Sequence, residues 1–327
     1  MRPLRVLLQG RPDLWALPAG DTLLVRRTVA ALRERGVAAQ VSTELRPDLR
    51  GCDLVHLFNL SRIHELGLMA QHASEHGVPY VLTPMYWDLE EYMCRCPQAE
   101  GEEVLRWRRD LPWRRKVLSH ARAVLTTGEA EAALLRSEGV PSTVVPLACD
   151  QEGRPASASG EGAYVLCVGR ITPQKNQLAL IEALRPLGLP LVILGPVNDP
   201  WYLRRCRAAA GEQVRFCGPA RGTALGAAFV GARVHALASW YELPGLASLE
   251  AAVAGCNVVS TDRGTAAAYL GPHARYCDPG RPETIREAVL AAWREPRTGR
   301  AGRRLRRFSW SLTARRTLEV YRSCLER

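Results

Sequence analysis

From Tyr164 to Val168 the chain reads YVLCV, apolar at every position. A strand of that kind has no face for water, so it belongs in a parallel sheet covered on both sides. Gly169 and Arg170 end the run and Pro173 punctuates the loop. Leu178, Ile181 and Leu184 then recur at the spacing of an amphipathic helix. The same strand-then-helix order repeats along the chain. Strands are predicted near 4–9, 38–42, 53–58, 79–83, 122–126 and 142–146, then near 163–168, 190–194, 213–216, 233–237 and 257–260. Such alternation predicts an α/β protein with a parallel sheet in each half. A length of 327 residues suits two domains, and an apolar fraction of 47% is enough for two ordinary cores. The stretch QEGRPASASGEG, 151–162, is small, polar and Gly/Ser-rich, and is predicted to link them.

Open sheets of this class bind ligands outside the carboxyl ends of their strands. Arg170 and Lys175 fall at that end of the Tyr164–Val168 strand. The chain has only two lysines, Lys116 and Lys175, so a lysine there suggests a need for a compact ammonium rather than a planar fork. A second candidate segment is YELPGLASLE, 241–250. Gly245 permits close backbone approach, and the apolar run that follows predicts a buried helix. The amides of Gly245, Leu246 and Ala247 would then be unpaired donors at a helix N-terminus, suited to a phosphate. Glu250 could reach a sugar hydroxyl beside it. The alternative for the two acids is plain helix chemistry, Glu242 complementing the dipole and Glu250 solvated.

Taken together, VGRITPQKN at 168–176, the E-x7-E pair Glu242 and Glu250, and EAAVAGCNVVSTDRG at 250–264 resemble the retaining glycosyltransferases of family 4. LPAGDTLLVRRTVAALRERGV, 17–37, is similar to that family's glycine loop and first helix. FSWSLTARRTLEVYRSCL, 308–325, is similar to its closing helix, and LRSEGVPSTVVPLACD, 135–150, to the end of its first domain. The resemblance implies a GT-B architecture, two Rossmann-like domains facing a cleft: an acceptor-side domain 1–150, a nucleotide-sugar donor domain 151–307, and a helix 308–327 crossing back. It implies transfer of a sugar from a nucleoside diphosphate to an acceptor hydroxyl with configuration kept. Arg170 and Lys175 would stabilise the departing diphosphate, Glu242 would stand near the donor sugar, and Glu250 would hold the ribose. Gly245, Leu246, Ala247 and Gly20 would meet the phosphates, and backbone near Gly218 the base. No metal or other cofactor is implied, and no Asp-x-Asp pair is present. The chain departs from the family in three places. Met85-Tyr86-Trp87 stands where many relatives have a histidine, Thr265-Ala266-Ala267-Ala268 where a glutamate is common, and VPLA where VPNG is usual.

Acceptor-side candidates are His56 and Asn59, at the end of DLVHLFNL, and Tyr86, Trp87 and Asp88 in the next strand's loop. Aromatics there suit sugar stacking, although packing accounts equally for Tyr86 and Trp87, and a satisfied core or edge position is the favoured reading of His56. The ten cysteines lack zinc or redox spacing and several, Cys167, Cys217 and Cys256, fall in apolar runs, as buried thiols of a cytoplasmic protein would. No apolar run is long enough to span a bilayer, and MRPLRVLLQG reads as a first strand rather than a signal peptide. The net charge of +11 lies wholly in residues 151–327, with eight arginines and no acid between Arg297 and Arg316. A solvated helix face or an anion-attracting patch would each explain that cluster. RWRRDLPWRRK, 106–116, interleaves Trp107 and Trp113 with six basic residues, a composition suited to an anionic membrane surface at the cytoplasmic side. A basic nucleic-acid-binding module and a catalytically inactive GT-B scaffold are the other readings. No stacking platform or helix-turn-helix signature supports nucleic acid, and Arg170, Lys175, Glu242 and Glu250 together oppose an inactive scaffold.

Overall fold

The computed structural model describes residues 2–87, 89–99, 101–149 and 162–326. The predicted linker 151–162, Gly162 apart, and the acceptor-side candidate Asp88 lie outside them. The chain forms two compact units: Met1–Trp87, Leu105–Ala148 and Phe308–Arg327 in the first, Asp88–Val104 and Cys149–Arg307 in the second. Each is built on a six-stranded, all-parallel sheet. The first contains β1 (Arg5–Gln9), β2 (Ala38–Ser42), β3 (Leu54–Phe58), β4 (Tyr80–Thr83), β5 (Ala123–Thr126) and β6 (Thr143–Val144), in the order β2-β1-β3-β4-β5-β6. The second contains β7 (Tyr164–Val168), β8 (Leu191–Leu194), β9 (Val214–Phe216), β10 (Ala232–Leu237), β11 (Asn257–Thr261) and β12 (Arg275–Cys277), in the order β12-β11-β10-β7-β8-β9.

Helices α1 (Gly20–Arg33), α2 (Ile63–Glu75), α3 (Leu89–Arg95), α4 (Gly101–Arg109), α5 (Leu111–His120) and α6 (Glu129–Ser137) belong to the first half of the chain. The second half carries α7 (Gln177–Leu184), α8 (Pro200–Ala209), α9 (Gly222–Gly231), α10 (Leu246–Val253), α11 (Ala266–Leu270), α12 (Pro282–Arg294), α13 (Arg300–Leu305) and α14 (Trp310–Leu325). One face of the first sheet is covered by α1 and α14, through Leu24, Val25, Leu32, Leu318 and Tyr321; α2 and α5 contribute Leu66, Met69, Val117 and Leu118 to the core on the other. In the second unit Leu178, Ile181, Tyr202, Ile285 and Val289 bury the sheet residues Val165, Cys167 and Ile193. All five residues of β3 are buried, four of them apolar and the fifth His56, as expected of an inner strand of a sheet covered on both faces.

The C-terminal arginine cluster divides: Arg300, Arg303, Arg306, Arg307, Arg315 and Arg316 are exposed, as a solvated helix face has them, whereas Arg297 and Arg304 take a course that neither expectation covered. Arg297 donates to the carbonyls of Val230, Ala254 and Gly255 at 2.9–3.1 Å, and Arg304 to that of Tyr269 at 2.9 Å. These are carbonyls at the C-terminal ends of α9, α10 and α11, the negative poles of their dipoles. The cysteines follow the buried-thiol pattern except at Cys52, half-buried, and at Cys94 and Cys217, which are exposed. Cys217 lies just past the three-residue β9 at a sheet edge, where a short apolar run does not ensure burial.

Two buried groups of the first unit titrate in opposite senses. His56 is enclosed in β3, and burial lowers its pKa from 6.5 to about 3. Glu131 is fully buried at the start of α6, and burial raises its pKa from 4.5 to about 7. As pH falls below the ordinary histidine value, the unfolded chain takes up a proton that folded His56 refuses, so stability is lost. Over the same interval folded Glu131 takes up a proton that the unfolded carboxylate does not, so stability is gained. The two therefore offset each other. Between pH 6.5 and about 5 the E131Q variant should lose about 2 kcal/mol more than wild type, and H56Q about 2 kcal/mol less. Urea unfolding at several pH values reads this directly; three parallel pH profiles would refute it.

Candidate active site

In the second sheet the chain runs from β7 outward to β8 and β9, then returns to the other side of β7 as β10. Connections leaving β7 and β10 thus diverge, and the crevice outside their carboxyl ends is where such sheets accept ligands. Gly169 and Arg170 stand at the end of β7, and Ala238 to Glu242 at the end of β10. The edge is tightly drawn. A Cβ on Gly195, just past β8, would lie 1.9 Å from the Gly169 carbonyl oxygen, and the Gly195 amide donates to the Gly218 carbonyl at 2.8 Å.

Lys175 ends a single 3-10 turn, Pro173–Lys175, held by the residues beside it. Asn176 is left-handed (φ 58°), and its side-chain amide donates to the carbonyls of Ala238 (3.0 Å) and Pro279 (2.8 Å). The Trp240 amide donates to the Gln174 carbonyl at 2.9 Å. The two loops are thereby fixed to each other, and Lys175 Nζ meets Glu242 Oε1 at 2.5 Å. Both side chains are largely shielded, at 15% and 5% exposure. An ammonium has three donors, so the bond to Glu242 leaves Lys175 with capacity for an anion. Arg170 is exposed nearby in sequence, and among the described residues its guanidinium has no ion-pair partner.

Glu242 is positioned by a backbone crossing absent from the sequence reading. It forms an isolated parallel bridge with Gly264, and its carbonyl accepts from the Thr265 amide at 2.9 Å. Gly264 has φ +90°, and a Cβ there would lie 2.2 Å from the Glu242 carbonyl oxygen. Only glycine fits both demands. Its signal was present, as the glycine of STDRG, but what it approaches is remote in sequence. Gly245 (φ +81°) starts α10 with its carbonyl accepting from the Ser248 amide, so the Leu246 and Ala247 amides precede the first donor bonded within the helix. Glu250 lies one turn further along and is half-buried. Ser239 Oγ, Trp240 Nε1 and Thr265 Oγ1 are buried on the same loops without a hydrogen-bond partner among the described residues.

The segment Leu89–Arg95 braces this region from an unexpected part of the chain. Although it follows β4, it packs in the second unit. Tyr92 sets its ring edge against Trp240 with centroids 6.1 Å apart. Glu91 takes a bidentate bond from Arg263, 2.8 Å on each arm, and Arg95 bridges Glu91 (2.6 Å) and Asp278 (3.1 Å). Arg263 holds the Glu91 carboxyl below its usual range. No sequence motif announces this helix as part of the second unit.

The remaining candidates lie in the first unit. Gly20 opens α1, exposed, and Asp21 beside it is buried against Arg11 (2.8 Å to Nε) and Asn59 Nδ2 (2.9 Å). Asn59 is left-handed (φ 75°), and its side-chain oxygen accepts from Ser61. Asn59 and the glycine loop are therefore one assembly. Arg11 and Asp21 escaped the sequence reading, where a lone Arg and Asp ten residues apart carry no signal. His56 does not present itself to a ligand. Nδ1 meets Tyr321 OH at 2.6 Å and Nε2 meets Thr83 Oγ1 at 2.8 Å, so both ring nitrogens are engaged inside the core. Tyr86 is likewise turned inward: its amide donates to Glu131 (2.7 Å), its hydroxyl to Glu138, and its ring stacks on Trp107. Trp87 is half-buried. Among the described residues no group of three or more His, Cys, Asp or Glu side chains is placed to hold a metal ion.

Two family models match the chain, "Glycosyl transferase 4-like domain" over residues 3–148 and "Glycosyl transferases group 1" over 162–295. The O-antigen chain mannosyltransferase B of Escherichia coli is 26% identical over 174 residues, 49% of this chain and 45% of that protein. The chain thus spans about half the length of that relative. Among solved structures, sucrose-phosphate synthase from Thermosynechococcus elongatus has a TM-score of 0.78 at 16% identity, covering 98% of each chain. Anabaena HepE in complex with UDP-glucose has a TM-score of 0.74 at 15% identity, covering 98% of this chain and 100% of that one. With one model on each sheet-bearing half and the same fold in these structures, the chain belongs to the family-4-type glycosyltransferases of GT-B architecture.

Proposed function

We propose that this glycosyltransferase moves a sugar from a nucleoside diphosphate to an acceptor hydroxyl with retention of configuration and without a metal ion, in assembly of an envelope or exported glycan. The observation that carries the donor assignment is the Lys175–Glu242 pair beside the free amides of α10, at the switch point of the second sheet. A diphosphate is the ligand that a helix N-terminus, an ammonium with spare donors and an unpaired guanidinium would jointly recognise. Binding of UDP by Anabaena HepE and of ADP by the catalytic domain of Arabidopsis starch synthase IV agrees with that ligand class. The glycan pathway rests on the mannosyltransferase relative.

In the proposed reaction the bond from the anomeric carbon to the diphosphate oxygen breaks, and negative charge grows on that oxygen. Lys175 and Arg170 stabilise this charge, the kind of contribution that usually dominates catalysis. The acceptor oxygen bonds the anomeric carbon on the face the diphosphate leaves, and its proton passes to a phosphate oxygen. Glu242, clamped by Lys175, orients the donor sugar, and Glu250 binds the ribose. His56 and Tyr86 leave the acceptor-side set because their polar groups are engaged in the core, and the Asn59 amide is likewise taken up by Asp21 and Ser61, where it shapes the Gly20 loop. Trp87 remains a candidate for sugar stacking.

A thermal-shift panel of UDP, GDP, ADP, TDP and CMP should give a rise of several degrees with one nucleoside diphosphate, unchanged by EDTA. Lys175→Ala and Arg170→Ala should each lower turnover by about 10²-fold or more while the fold persists. Wild-type turnover in either variant, or a shift abolished by EDTA, would remove this reading.

Gly264→Ala tests the crossing that sets Glu242. The added Cβ strains the backbone and collides with the Glu242 carbonyl, so unfolding free energy should drop by about 2 kcal/mol or more. The nucleotide-induced thermal shift should shrink with it. Neutral behaviour in both measurements would show that the loop adjusts freely.

A further inference from the structure

The segment Leu105–Lys116 divides cleanly into an inner and an outer half. Trp107 and Arg114 turn inward: the Arg114 guanidinium lies 3.4 Å from the Trp107 ring centre and donates to the Trp107 carbonyl at 2.5 Å. Tyr86 stacks beneath them. Leu105 and Trp113 turn outward, at 68% and 53% exposure. Trp113 is not a loose side chain. Its ring lies against Gly67, 3.5 Å from where a Cβ would stand, and beside His64, which pairs with Asp110 at 3.0 Å. Leu68, next along α2, is exposed as well.

Around these apolar groups the charge has one sign. Arg106, Arg108, Arg109, Arg115 and Lys116 are exposed, whereas Asp110, the one acid between Leu105 and His120, is buried against His64 and Arg109. Single exposed apolar residues are common on soluble proteins and carry no message. A fixed tryptophan and leucine within a belt of cations, with no exposed acid between Leu105 and His120, is a different pattern. Headgroup phosphates meet the cations while the indole and leucine enter the acyl boundary.

We propose that the outer face of α4 and α5 docks the protein on an anionic phospholipid bilayer. The occupant follows from charge complementarity joined to the two apolar side chains. A soluble polyanion would satisfy the arginines and leave Trp113 and Leu105 in water. Pro112 does not prevent the arrangement, since it occupies the second position of α5, where a missing amide proton costs no hydrogen bond. The inference is independent of the donor site, which lies in the second unit.

Flotation of the full chain with vesicles of phosphatidylglycerol in phosphatidylcholine, against phosphatidylcholine alone, tests it at low salt. Wild type should float with the anionic vesicles only. Arg108→Glu combined with Lys116→Glu should lower partitioning on the order of tenfold or more. Trp113→Ser and, separately, Leu105→Ser should weaken it several-fold with circular dichroism and thermal midpoint unchanged. Leu105 makes a safe second variant, since so exposed a side chain contributes little to the fold. The proposal fails if wild type does not float. It fails equally if both serine variants float like wild type while the charge reversal abolishes heparin or RNA binding, because the face would then be a plain polyanion surface.

Discussion

The ion pair between Lys175 and Glu242 is the contact on which the second unit's architecture converges. It joins two loops that leave neighbouring strands in opposite directions, and both side chains have lost most of their water. Desolvating two charges is costly, and a buried pair of this kind is seldom retained for stability alone. Several independent devices maintain it. Asn176 ties the lysine's turn to the Ala238 carbonyl, Gly264 gives the Glu242 backbone a partner no other residue could provide, and the Glu91–Arg263–Asp278–Arg95 group braces the Trp240 strip. The aliphatic stem of Lys175 runs past Gly169, its Cγ and Cδ at ordinary contact distance, 3.7 Å, from where a Cβ would stand.

The same sheet logic gives a different result in the first unit. Its switch point lies between β1 and β3, and there Arg11, Asp13, Asp21 and Asn59 meet. That group is closed. Arg11 donates to Asp21, Asp13 and the Leu17 carbonyl, and Asp21 accepts from Arg11, Asn59 and the Thr22 amide. Every strong donor is matched, so the network shapes the glycine loop and holds no charge in reserve. In the second unit the helix amides and Arg170 remain available. Anion-binding capacity is thus left open in the second unit, whereas the donors of the first unit's group are taken up within it.

The parallel-sheet fold was legible because a strand covered on both faces, such as β7, reads as an unbroken apolar run, and β3 departs from that only at His56. The edge strand β12 escaped notice for the converse reason: three residues with Arg275 exposed show no period. Lys175 and Glu242 could each be singled out, one by its rarity and the other by its spacing from Glu250. Their contact could not, because it depends on the backbone crossing of Glu242 with Gly264 and on the Asn176 bonds, which join residues 62 and 103 apart in sequence. His56 illustrates the opposite error. A histidine at a strand's carboxyl end suggests a ligand site, yet Tyr321, 265 residues away on α14, occupies one ring nitrogen. The α3 segment shows that order along the chain does not fix membership of a unit.

The distribution of arginine decides how the net charge should be interpreted. A sum of +11 invites an acidic partner for the second half of the chain, where the whole excess lies. Arg297 alone satisfies three backbone carbonyls at helix ends, and Arg304 and Arg307 cover those of α11. These arginines act within the molecule, as caps that complement helix dipoles. The first half, neutral in sum, is where five exposed cations gather around Trp113 and Leu105 without an exposed acid among them. Association with an anionic surface responds to the local field within about a Debye length. Exposed arginines occur in both halves, and what sets the α4–α5 face apart is that its cations surround the exposed Trp113 and Leu105.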